Sequence, residues 1–347
     1  MKVGVLQLIT GLSIGGAEKV VLDLASRIDK SRFQNHVISL SRHRDMLPDF
    51  EALGIIPIFL NMTKQPLSFF RTIKSLINYI DQHNIFIIHA HMPHAGLMAL
   101  AIRMFRPKVR VVFTPHNVDM ESHAREIILY IGRFLRTKDI VFSRAKPRYF
   151  VKGQPAYIPN GIDVKQYLGA NQQRETFTFA VIGRLEPQKN HHGMIDAARK
   201  IKDRAFRILI IGAGNLEAEL RHKVASLDLQ EKIIFCGIRR DIPKVLNSID
   251  CLLIPSLWEG LPIVMLEAGA AGTPIIANPV GDIPSILDHS NATLASPEEF
   301  HIAMEEAMDD LGTARKKAKL FQGLVQEKFS LEQTVKRHEQ LYSSQIS

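Results

Sequence analysis

Short apolar runs of strand length alternate with amphipathic stretches of helix length along almost the whole chain. In the first half these runs include Val3–Ile9, Ile85–His91 and Arg110–Thr114, and in the second half Phe177–Ile182 and Cys251–Pro255. Alternation of this kind predicts βαβ units, in which crossover helices join parallel strands. The chain is therefore predicted to be an α/β protein built on doubly wound parallel sheets.

The remaining predicted elements follow the same rhythm. The other strands are His36–Leu40, Ile55–Leu60, Ile140–Ser143, Ala156–Pro159, Arg207–Ile211, Ile233–Cys236 and Pro274–Ala277. The helices include Ala17–Ile28, Leu67–His83, Glu121–Leu135, His192–Ile201, Leu216–Ala225, Ile242–Leu246 and Pro262–Ala271. The tail from Pro297 is predicted to form helices only.

A polar segment without clear periodicity divides this pattern into two halves. At 347 residues, the chain has the length of about two ordinary domains. We predict Rossmann-like domains over residues 1–160 and 177–328, a linker over 161–176 and a final segment over 329–347. The two sheets are expected to face each other across a cleft, with ligands outside the carboxyl ends of the strands.

Composition excludes several classes of protein. The chain is 46% hydrophobic and 23% charged, which is typical of a soluble globular protein. It has no stretch of 18 apolar residues that would predict a transmembrane helix. Its two cysteines, Cys236 and Cys251, are too few for a disulfide framework, and both lie in apolar runs. We expect buried free thiols and a reducing, cytoplasmic location.

Charge is distributed unevenly along the chain. Residues 1–160 contain 22 Lys and Arg against 11 Asp and Glu, whereas residues 161–347 contain 22 against 24. An excess confined to one half predicts a basic face for an anionic partner, here a membrane surface or a lipid diphosphate. Ordinary solvated surface charge is the alternative.

Two basic spans are the candidates for such a face. Their cations are Arg103, Arg106, Lys108 and Arg110 in the first span, and Arg133, Arg136, Lys138, Arg144, Lys146, Arg148 and Lys152 in the second. The second span overlaps the predicted helix Glu121–Leu135, whose apolar residues are Ile127, Ile128, Tyr130, Ile131, Phe134 and Leu135. Such a helix can lie in the interface of an anionic bilayer or can pack on the sheet.

Two glycine-containing turns follow predicted strands. Gly15 and Gly16 lie in the turn TGLSIGGAE after the first strand, and Gly212 and Gly214 lie in GAGN after the strand Arg207–Ile211. Each could let backbone amides approach a phosphate or could simply turn the chain. Neither matches the Gly-x-Gly-x-x-Gly dinucleotide pattern or a P-loop.

The segment PSLWEGLPIVMLEAGAAG (255–272) joins a strand to a helix that Pro262 is suited to begin. The amides of Leu261, Ile263 and Val264 would favour a phosphate there, and Glu259 and Glu267 lie beside them. Arg184 and Lys189 follow another strand in VIGRLEPQKN, where they could grip a diphosphate or be two surface cations. The Glu-x7-Glu spacing alone carries no information, since Glu298 and Glu306 share it.

Histidines cluster where strands end. His89, His91 and His94 lie in IIHAHMPHAG, and His116 ends FTPHN. His89 and His91 should point to one face of their strand. They lack a clear Cys or carboxylate companion, and the chain contains no Asp-x-Asp, so we predict no metal site. Hydrogen-bonded buried histidines and substrate-contacting histidines both remain open.

Taken together, these motifs resemble glycosyltransferase family 4, in this order along the chain. They are GGAE at Gly15–Glu18, HAH at His89–His91, IPNGID at Ile158–Asp163, GRL at Gly183–Leu185 with Lys189, IIGAG at Ile210–Gly214, FCGIRRDI at Phe235–Ile242 and EGLPIVMLEAGAAGTPII at Glu259–Ile276. The chain departs from the family pattern at Lys189-Asn190, in place of Lys-Gly, and at Gly281–Ser285, which lacks the second Gly and the Glu.

The resemblance implies a GT-B fold and a retaining, metal-independent transfer from a nucleotide-diphosphate sugar, with UDP favoured over GDP. The sugar would be of the hexosyl or N-acetylhexosaminyl type. The acceptor would be a glycan or a lipid-linked glycan in surface-polysaccharide synthesis, such as capsule or lipopolysaccharide. No cofactor and no nucleic acid are implied. The final helix, Phe329–Tyr342, would return to the N-terminal domain.

The resemblance also assigns roles to matching residues. Arg184 and Lys189 would hold the diphosphate, Glu267 the ribose, and Glu259 would lie near the donor sugar. His91 would reach that sugar from the other domain. The remaining matches are Gly15, Gly16, Gly212, Gly214, Arg239, Leu261, Ile263 and Val264 on the donor side, and His116 and Asn160 on the acceptor side.

Two other functions share this two-domain shape. The chain could be a sugar-nucleotide 2-epimerase or an inactive glycan-binding subunit. GGAE, GRL and the start of the helix near Leu261 disfavour the epimerase. The presence of Arg184, Lys189, Glu259 and Glu267 disfavours the inactive subunit. A peripheral position at the inner face of the plasma membrane is compatible with the transferase.

Overall fold

The computed structural model of the chain describes residues 2–63, 65–116, 122–142, 149–169 and 175–346. It divides into two compact units. The N-terminal unit comprises residues up to 161 together with those from 331 onward, and the C-terminal unit comprises Ile162–Ser330. None of the helices in the described ranges is long and apolar enough to cross a membrane.

The N-terminal unit is built on a seven-stranded parallel sheet of order β3-β2-β1-β4-β5-β6-β7. Its elements are β1 (Val3–Ile9), α1 (Gly16–Arg27), β2 (Phe33–Ser39), α2 (Leu47–Ala52), β3 (Ile58–Phe59), α3 (Pro66–Gln82), β4 (Ile85–His91), α4 (Pro93–Phe105), β5 (Arg110–Thr114), α5 (His123–Ile131), β6 (Lys138–Val141) and β7 (Ala156–Tyr157). A 3₁₀ turn over Gly132–Leu135 continues α5.

The C-terminal unit is built on a six-stranded parallel sheet of order β10-β9-β8-β11-β12-β13. Its elements are β8 (Phe177–Ile182), α6 (His191–Lys200), β9 (Phe206–Ile211), α7 (Glu217–Ser226), β10 (Ile233–Gly237), α8 (Ile242–Asn247), β11 (Cys251–Ile254), α9 (Ile263–Ala271), β12 (Ile275–Ala277), β13 (Thr293–Leu294), α10 (Phe300–Asp309) and α11 (Leu311–Lys328). The central strands are apolar along most of their length because helices cover both faces.

The last helix, α12 (Leu331–Ser344), belongs to the N-terminal unit. Leu331 and Val335 pack against Val20 and Leu24 of α1, forming a small apolar cluster. Further along the helix, the fully buried Tyr342 joins the core beneath β1, β4 and β5. The final helix is therefore an integral layer of the first unit.

The predicted α/β architecture with two doubly wound parallel sheets is confirmed. The strands Val3–Ile9, Ile85–His91, Arg110–Thr114 and Phe177–Ile182 have the predicted bounds. The two-residue strand β13 was not predicted, because so short a run shows no alternation. Glu121 and Ser143, which bound two predicted elements, lie outside the described residues.

Some sequence predictions differ from the structure. The strand predicted at Ile55–Leu60 is limited to Ile58–Phe59, and the one predicted at His36–Leu40 spans Phe33–Ser39. The predicted linker, residues 161–176, is not a loose spacer throughout, because its 3₁₀ turn Val164–Tyr167 buries Tyr167 within the C-terminal unit. Residues 170–174 lie outside the described ranges. Both cysteines are free as expected, but only Cys251 is buried, while Cys236 is partly exposed near the end of β10.

Candidate functional site

In both sheets the strand order reverses beside the first strand of the unit. In the C-terminal unit the reversal lies between β8 and β11, and in the N-terminal unit between β1 and β4. The connections that follow two such strands run in opposite directions and leave a crevice at their carboxyl ends. Arg184 and Lys189 follow β8, and Glu259 follows β11, so the sheet brings these three residues to one crevice.

Lys189 and Glu259 form an ion pair at this crevice. The distance from Lys189 Nζ to Glu259 Oε1 is 2.5 Å, and their side chains are 19% and 6% exposed. Backbone contacts join the two loops, since the Leu257 amide donates to the Gln188 carbonyl and Gln188 Nε2 donates to the Trp258 carbonyl, both at 2.9 Å. These contacts between the two loops thus hold the Lys189 ammonium against the Glu259 carboxylate.

Gly281 packs directly against the backbone of Glu259. Gly281 has φ +57°, and a Cβ there would lie 1.9 Å from the Glu259 carbonyl oxygen. Only glycine fits this position. Gly281 is the first residue of the segment that departs from the family pattern. The glycine that this backbone contact requires is therefore present, whereas the second glycine of the pattern is replaced by Asp282.

The other departure, Asn190, has a local explanation. Asn190 is in the left-handed region at φ +50° and caps α6 by accepting from the Gly193 amide at 3.1 Å. Its Nδ2 donates to the Pro255 carbonyl at 3.1 Å. Asparagine tolerates this backbone conformation better than most residues. Asn190 therefore keeps the turn that a glycine would make and adds a bond to the loop after β11.

Arg184 differs from Lys189 in its freedom to move. Its side chain is 68% exposed and pairs with Glu186, with Nη1 2.7 Å from Oε1. An exposed pair of this kind contributes little to stability. The guanidinium can therefore turn toward a ligand at small energetic cost.

Glu267 lies on α9 and is held by a residue that sequence reasoning missed. The Tyr167 hydroxyl donates to Glu267 Oε1 at 2.7 Å, and both residues are largely buried. Asn247 Nδ2 in turn donates to the Tyr167 carbonyl at 3.2 Å. An aromatic residue inside the otherwise polar 161–176 segment was the available signal.

The start of α9 offers amides at the same edge of the sheet. Pro262 precedes the helix, and its side chain makes no capping hydrogen bond. Ile263 and Val264 occupy the first turn, partly exposed, after the buried Leu261. The first amides of a helix lack intrahelical acceptors, so this end favours an anion.

The glycine turn after β9 is explained by packing. A Cβ on Gly212, at φ +142°, would lie 1.9 Å from the Gly183 carbonyl, and one on Gly214 would lie 2.4 Å from the Leu185 carbonyl. These glycines press against the segment that carries Arg184.

After β10, the exposed Arg239 donates to both carboxylate oxygens of Asp241, at 2.7 and 2.6 Å, and this contact lowers the pKa of Asp241 to about 2.

In the N-terminal unit the corresponding edge is lined by histidines. His89 is fully buried in β4, with Nδ1 2.6 Å from the Tyr342 hydroxyl and Nε2 2.7 Å from Thr114 Oγ1. Burial lowers the pKa of its ring well below the usual value. His89 is thus the buried, hydrogen-bonded histidine that the sequence left open, and Tyr342 of α12 is its partner.

His91 lies one layer closer to the strand ends. It is fully buried, and its Nε2 lies 2.8 Å from Gln7 Oε1 while its Nδ1 lies 2.9 Å from His116 Nε2. Burial lowers the pKa of His91 well below its usual value and that of His116 to about 3. Both rings are therefore neutral near pH 7.

Neutral rings and the Gln7 carbonyl oxygen determine where the protons lie. His91 donates through Nε2 to Gln7 Oε1, so its Nδ1 accepts from His116 Nε2. The Nδ1 of His116 is then an acceptor, and it has no partner within the described ranges. His91 was predicted to reach the donor sugar, but both of its ring nitrogens are hydrogen-bonded within the unit. Its partner His116 is partly exposed.

The backbone next to these histidines is strained. Met92 has φ +75° and ψ +161°, and His116 has φ +61°. Conformations in this region are costly for residues other than glycine and cluster at functional sites. The Met92 amide donates to the Thr114 carbonyl at 3.0 Å, which ties the ends of β4 and β5 together.

The remaining predicted residues of this unit have distinct surroundings. Gly15 caps α1 in an extended conformation, and a Cβ on it would lie 2.6 Å from Glu18 Oε2. The Glu18 carboxylate thus folds back toward Gly15, and its burial raises the pKa of Glu18. Asn160 is buried, and its Oδ1 has no hydrogen-bond partner in the described part of the chain. Across that part, no group of three His, Cys, Asp or Glu residues could hold a metal.

Comparison with known sequences gives two family matches. The family described as Glycosyltransferase Family 4 matches residues 14–166, and the one described as Glycosyl transferases group 1 matches residues 168–322. One relative is the UDP-Gal:alpha-D-GlcNAc-diphosphoundecaprenol alpha-1,3-galactosyltransferase of Escherichia coli, 26% identical, covering 80% of this chain and 79% of that protein. Another is the putative glycosyltransferase EpsF of Bacillus subtilis, 26% identical, covering 78% of each.

Solved structures share the fold. Anabaena HepE, in complex with UDP and glucose, has a TM-score of 0.85 and 18% identity, covering 99% of this chain and 100% of that one. A glycosyltransferase from Rickettsia africae has a TM-score of 0.87 and 18% identity, covering 100% and 99%. The two family matches follow one another along almost the whole chain. This chain therefore belongs to glycosyltransferase family 4 and is a GT-B glycosyltransferase of polysaccharide biosynthesis.

Proposed function

We propose that this chain transfers a hexosyl or N-acetylhexosaminyl residue from a UDP-sugar to a lipid-linked glycan, with retention of anomeric configuration. The observation that carries the proposal is the Lys189–Glu259 ion pair at the carboxyl edge of the C-terminal sheet, with Arg184 following the same strand as Lys189 and Glu267 on α9, the helix that begins at this edge. Support for the donor and the acceptor comes from the E. coli relative, whose name specifies UDP-Gal and a diphosphoundecaprenol acceptor.

Each residue of the C-terminal unit has a proposed task. The bond from the anomeric carbon to the diphosphate breaks, and the negative charge that develops on the phosphate oxygens is stabilised by Arg184, Lys189 and the start of α9. Glu267, oriented by Tyr167, accepts from the ribose hydroxyls. Glu259 lies near the sugar, where its carboxylate stabilises the oxocarbenium-like carbon. Gly212, Gly214 and Arg239 complete the donor side.

The N-terminal unit supplies neutral contacts. We propose that His116 Nδ1 accepts a hydrogen bond from a sugar hydroxyl, with His91 and Gln7 fixing the tautomer behind it. Asn160 Oδ1 offers a second acceptor, and the turn at Gly15 and Gly16 offers backbone amides to a phosphate. The acceptor hydroxyl attacks the anomeric carbon, and its proton passes to the departing diphosphate. No metal ion takes part in this scheme, so activity should persist in EDTA.

Donor binding is the first test. Isothermal titration with UDP and GDP should show tighter binding of UDP, and UDP at 100 times its Kd should stabilise the protein by about 2.7 kcal/mol. Equal binding of both nucleotides would overturn the donor assignment.

Transfer is the second test. Labelled sugar from UDP-galactose, UDP-glucose and UDP-N-acetylglucosamine is offered with a lipid-diphosphate GlcNAc acceptor, and NMR of the product gives its anomeric configuration. Inversion would contradict the retaining mechanism. Conversion of the donor into an epimer without transfer would identify an epimerase, and donor binding without turnover with any acceptor would identify an inactive subunit.

A further inference from the structure

The helix α5 and the 3₁₀ turn after it carry an unusual number of exposed apolar side chains. Ile131 is 65% exposed and Phe134 is 77% exposed, and Ile127, Ile128 and Tyr130 are exposed as well. Met104 and Phe105 at the end of α4 are exposed in the same way. We call these seven residues the α5 surface.

Packing does not account for the α5 surface. Of the helix α5, only Glu126 and Leu129 are buried. A Cβ on Gly132 would lie 2.3 Å from Leu100 Cδ1, so this glycine seats the end of α5 directly on α4. Met104 lies one turn beyond Leu100 on α4. The helix is therefore attached through one narrow face, and its apolar stripe points away from the sheet.

Cations flank this stripe. They belong to a stretch of sequence, residues 101–152, that contains twelve Lys and Arg against four Asp and Glu. The Arg133 guanidinium carbon lies 3.7 Å from the Tyr130 ring centroid and 4.6 Å from that of Phe134, and Lys108 is exposed beyond the end of α4. Apolar residues flanked by cations match the boundary between acyl chains and anionic headgroups.

The structure also narrows the list of contributing cations. Arg136 is fully buried and donates to both carboxylate oxygens of Asp139, so it belongs to the core and not to a basic face. Arg106 is paired with Asp81, and Arg103 donates to the Val109 carbonyl. Arg144, Lys146 and Arg148 lie outside the described residues.

We infer that the α5 surface inserts into an anionic bilayer, with Arg133 and Lys108 on its rim. A second copy of the chain is disfavoured as the occupant, because a symmetric contact would bring two such positive surfaces together. The inference rests on the proposed lipid-linked acceptor, since it places the acceptor-binding unit where lipid-linked substrates lie.

Vesicle co-sedimentation tests the inference without donor or acceptor. The full-length protein should bind vesicles of phosphatidylcholine with phosphatidylglycerol at low salt, and bind much less to phosphatidylcholine alone or at high salt. Ile131→Ser/Phe134→Ser should weaken binding about tenfold or more. Arg133→Gln should weaken it about fivefold, the ratio for about 1 kcal/mol per cation.

The matched control is Ile302→Ser/Leu320→Ser, which changes two exposed apolar residues of the C-terminal unit and should leave binding unchanged. Circular dichroism checks that each variant is folded. No binding to anionic vesicles at low salt, or equal loss in both double variants, would overturn the inference. A dimer in sedimentation velocity that only Ile131→Ser/Phe134→Ser dissociates would instead assign the surface to a second copy. None of these outcomes depends on donor binding or turnover, so failure here is separable from failure of the proposed function.

Discussion

The carboxyl edges of the two sheets share one topology but carry opposite chemistry. In the C-terminal unit the edge presents charged groups, with Lys189 paired to Glu259 and Arg184 exposed. In the N-terminal unit it presents neutral rings, with His89 and His91 buried, His116 partly exposed, and all three hydrogen-bonded. Cations favour a charged diphosphate, whereas uncharged rings and amides can bind sugar hydroxyls without placing a net charge beside them. The comparison shows that the fold supplies the position of a site and the side chains supply its chemistry.

Acidification should have the largest effect, because it should destabilise the N-terminal unit far more than the C-terminal unit. Four histidines of the N-terminal unit, His89, His91, His116 and His338, have pKa values lowered by desolvation, to about 3 for His116 and about 4 for His338. The unfolded chain binds protons below about pH 6.5, while the folded unit does not until the pH falls to these values. Stability is therefore lost as pH falls below about 6.5, by up to about 2 kcal/mol per histidine between pH 7 and pH 5.

The C-terminal unit provides the internal control for this prediction. Among its described residues one buried histidine, His191, has its pKa lowered by burial to about 4. Hydrogen exchange measured by mass spectrometry at pH 7 and pH 5, corrected for intrinsic rates, should show loss of protection mainly in the strands of the N-terminal unit. Equal loss of protection in both units would contradict the assignment of neutral rings to these histidines of the N-terminal unit.

Truncation of the two cations should separate stability from activity. Lys189→Ala leaves the Glu259 carboxylate buried and unpaired, so the free energy of unfolding should fall by about 3 kcal/mol or more. Arg184→Ala removes an exposed side chain and should change it by less than about 0.5 kcal/mol. Both variants should lower kcat/KM for transfer by about 10² to 10³.

Urea unfolding and initial rates measure these two effects. Lys189→Ala/Glu259→Ala should recover part of the stability that Lys189→Ala loses, because no buried charge is left alone. Near-native kcat/KM in Arg184→Ala with every accepted donor would show that Arg184 does not hold the diphosphate.

The two glutamates should divide the work of the donor site. Glu267→Ala should weaken binding of free UDP about 10- to 100-fold, the scale for lost hydrogen bonds to a charged group. Glu259→Ala should chiefly lower kcat. Tyr167→Phe should give a smaller version of the Glu267→Ala effect, because it removes the 2.7 Å bond that orients this carboxylate. Titration with UDP and steady-state kinetics distinguish the three variants.

Glu298 is the control for both glutamates, because it is exposed, lies just before α10 and shares the Glu-x7-Glu spacing. Glu298→Ala should change neither UDP binding nor kcat. If Glu259→Ala behaved in the same way as Glu298→Ala, Glu259 would have no role beside the donor sugar.

The smallest expected effect is at the last helix. The Tyr342 hydroxyl accepts from Gln7 Nε2 at 3.2 Å and is bonded to His89, so Tyr342→Phe should cost about 1 kcal/mol of unfolding free energy and should lower kcat with little change in KM. Tyr79→Phe removes a comparable hydrogen bond, between the Tyr79 hydroxyl and His36 Nδ1 at 2.8 Å. This bond does not involve His89. The Tyr79→Phe substitution should cost similar stability and leave kcat unchanged, and a loss of kcat in both variants would contradict a positioning role for Tyr342.

The α/β class, the two parallel sheets and the family can be recognised from the amino-acid sequence alone. Apolar runs such as Val3–Ile9 and Phe177–Ile182 predict strands with the observed bounds because their pattern is local, whereas the run Ile55–Leu60 overestimates the length of β3. The glycine, cation and glutamate motifs were recognisable in order because each is a short contiguous segment. Their place at a strand end followed from the alternation alone.

Which side chains contact one another depends on the three-dimensional fold. Tyr167 with Glu267 and Tyr342 with His89 are pairs separated by 100 and 253 residues, and no local pattern records such distances. Burial was decided in the same way, because it depends on every neighbour of a side chain. Arg136 looked like its basic neighbours and lies fully inside, whereas Phe134, whose burial the sequence left open, is 77% exposed.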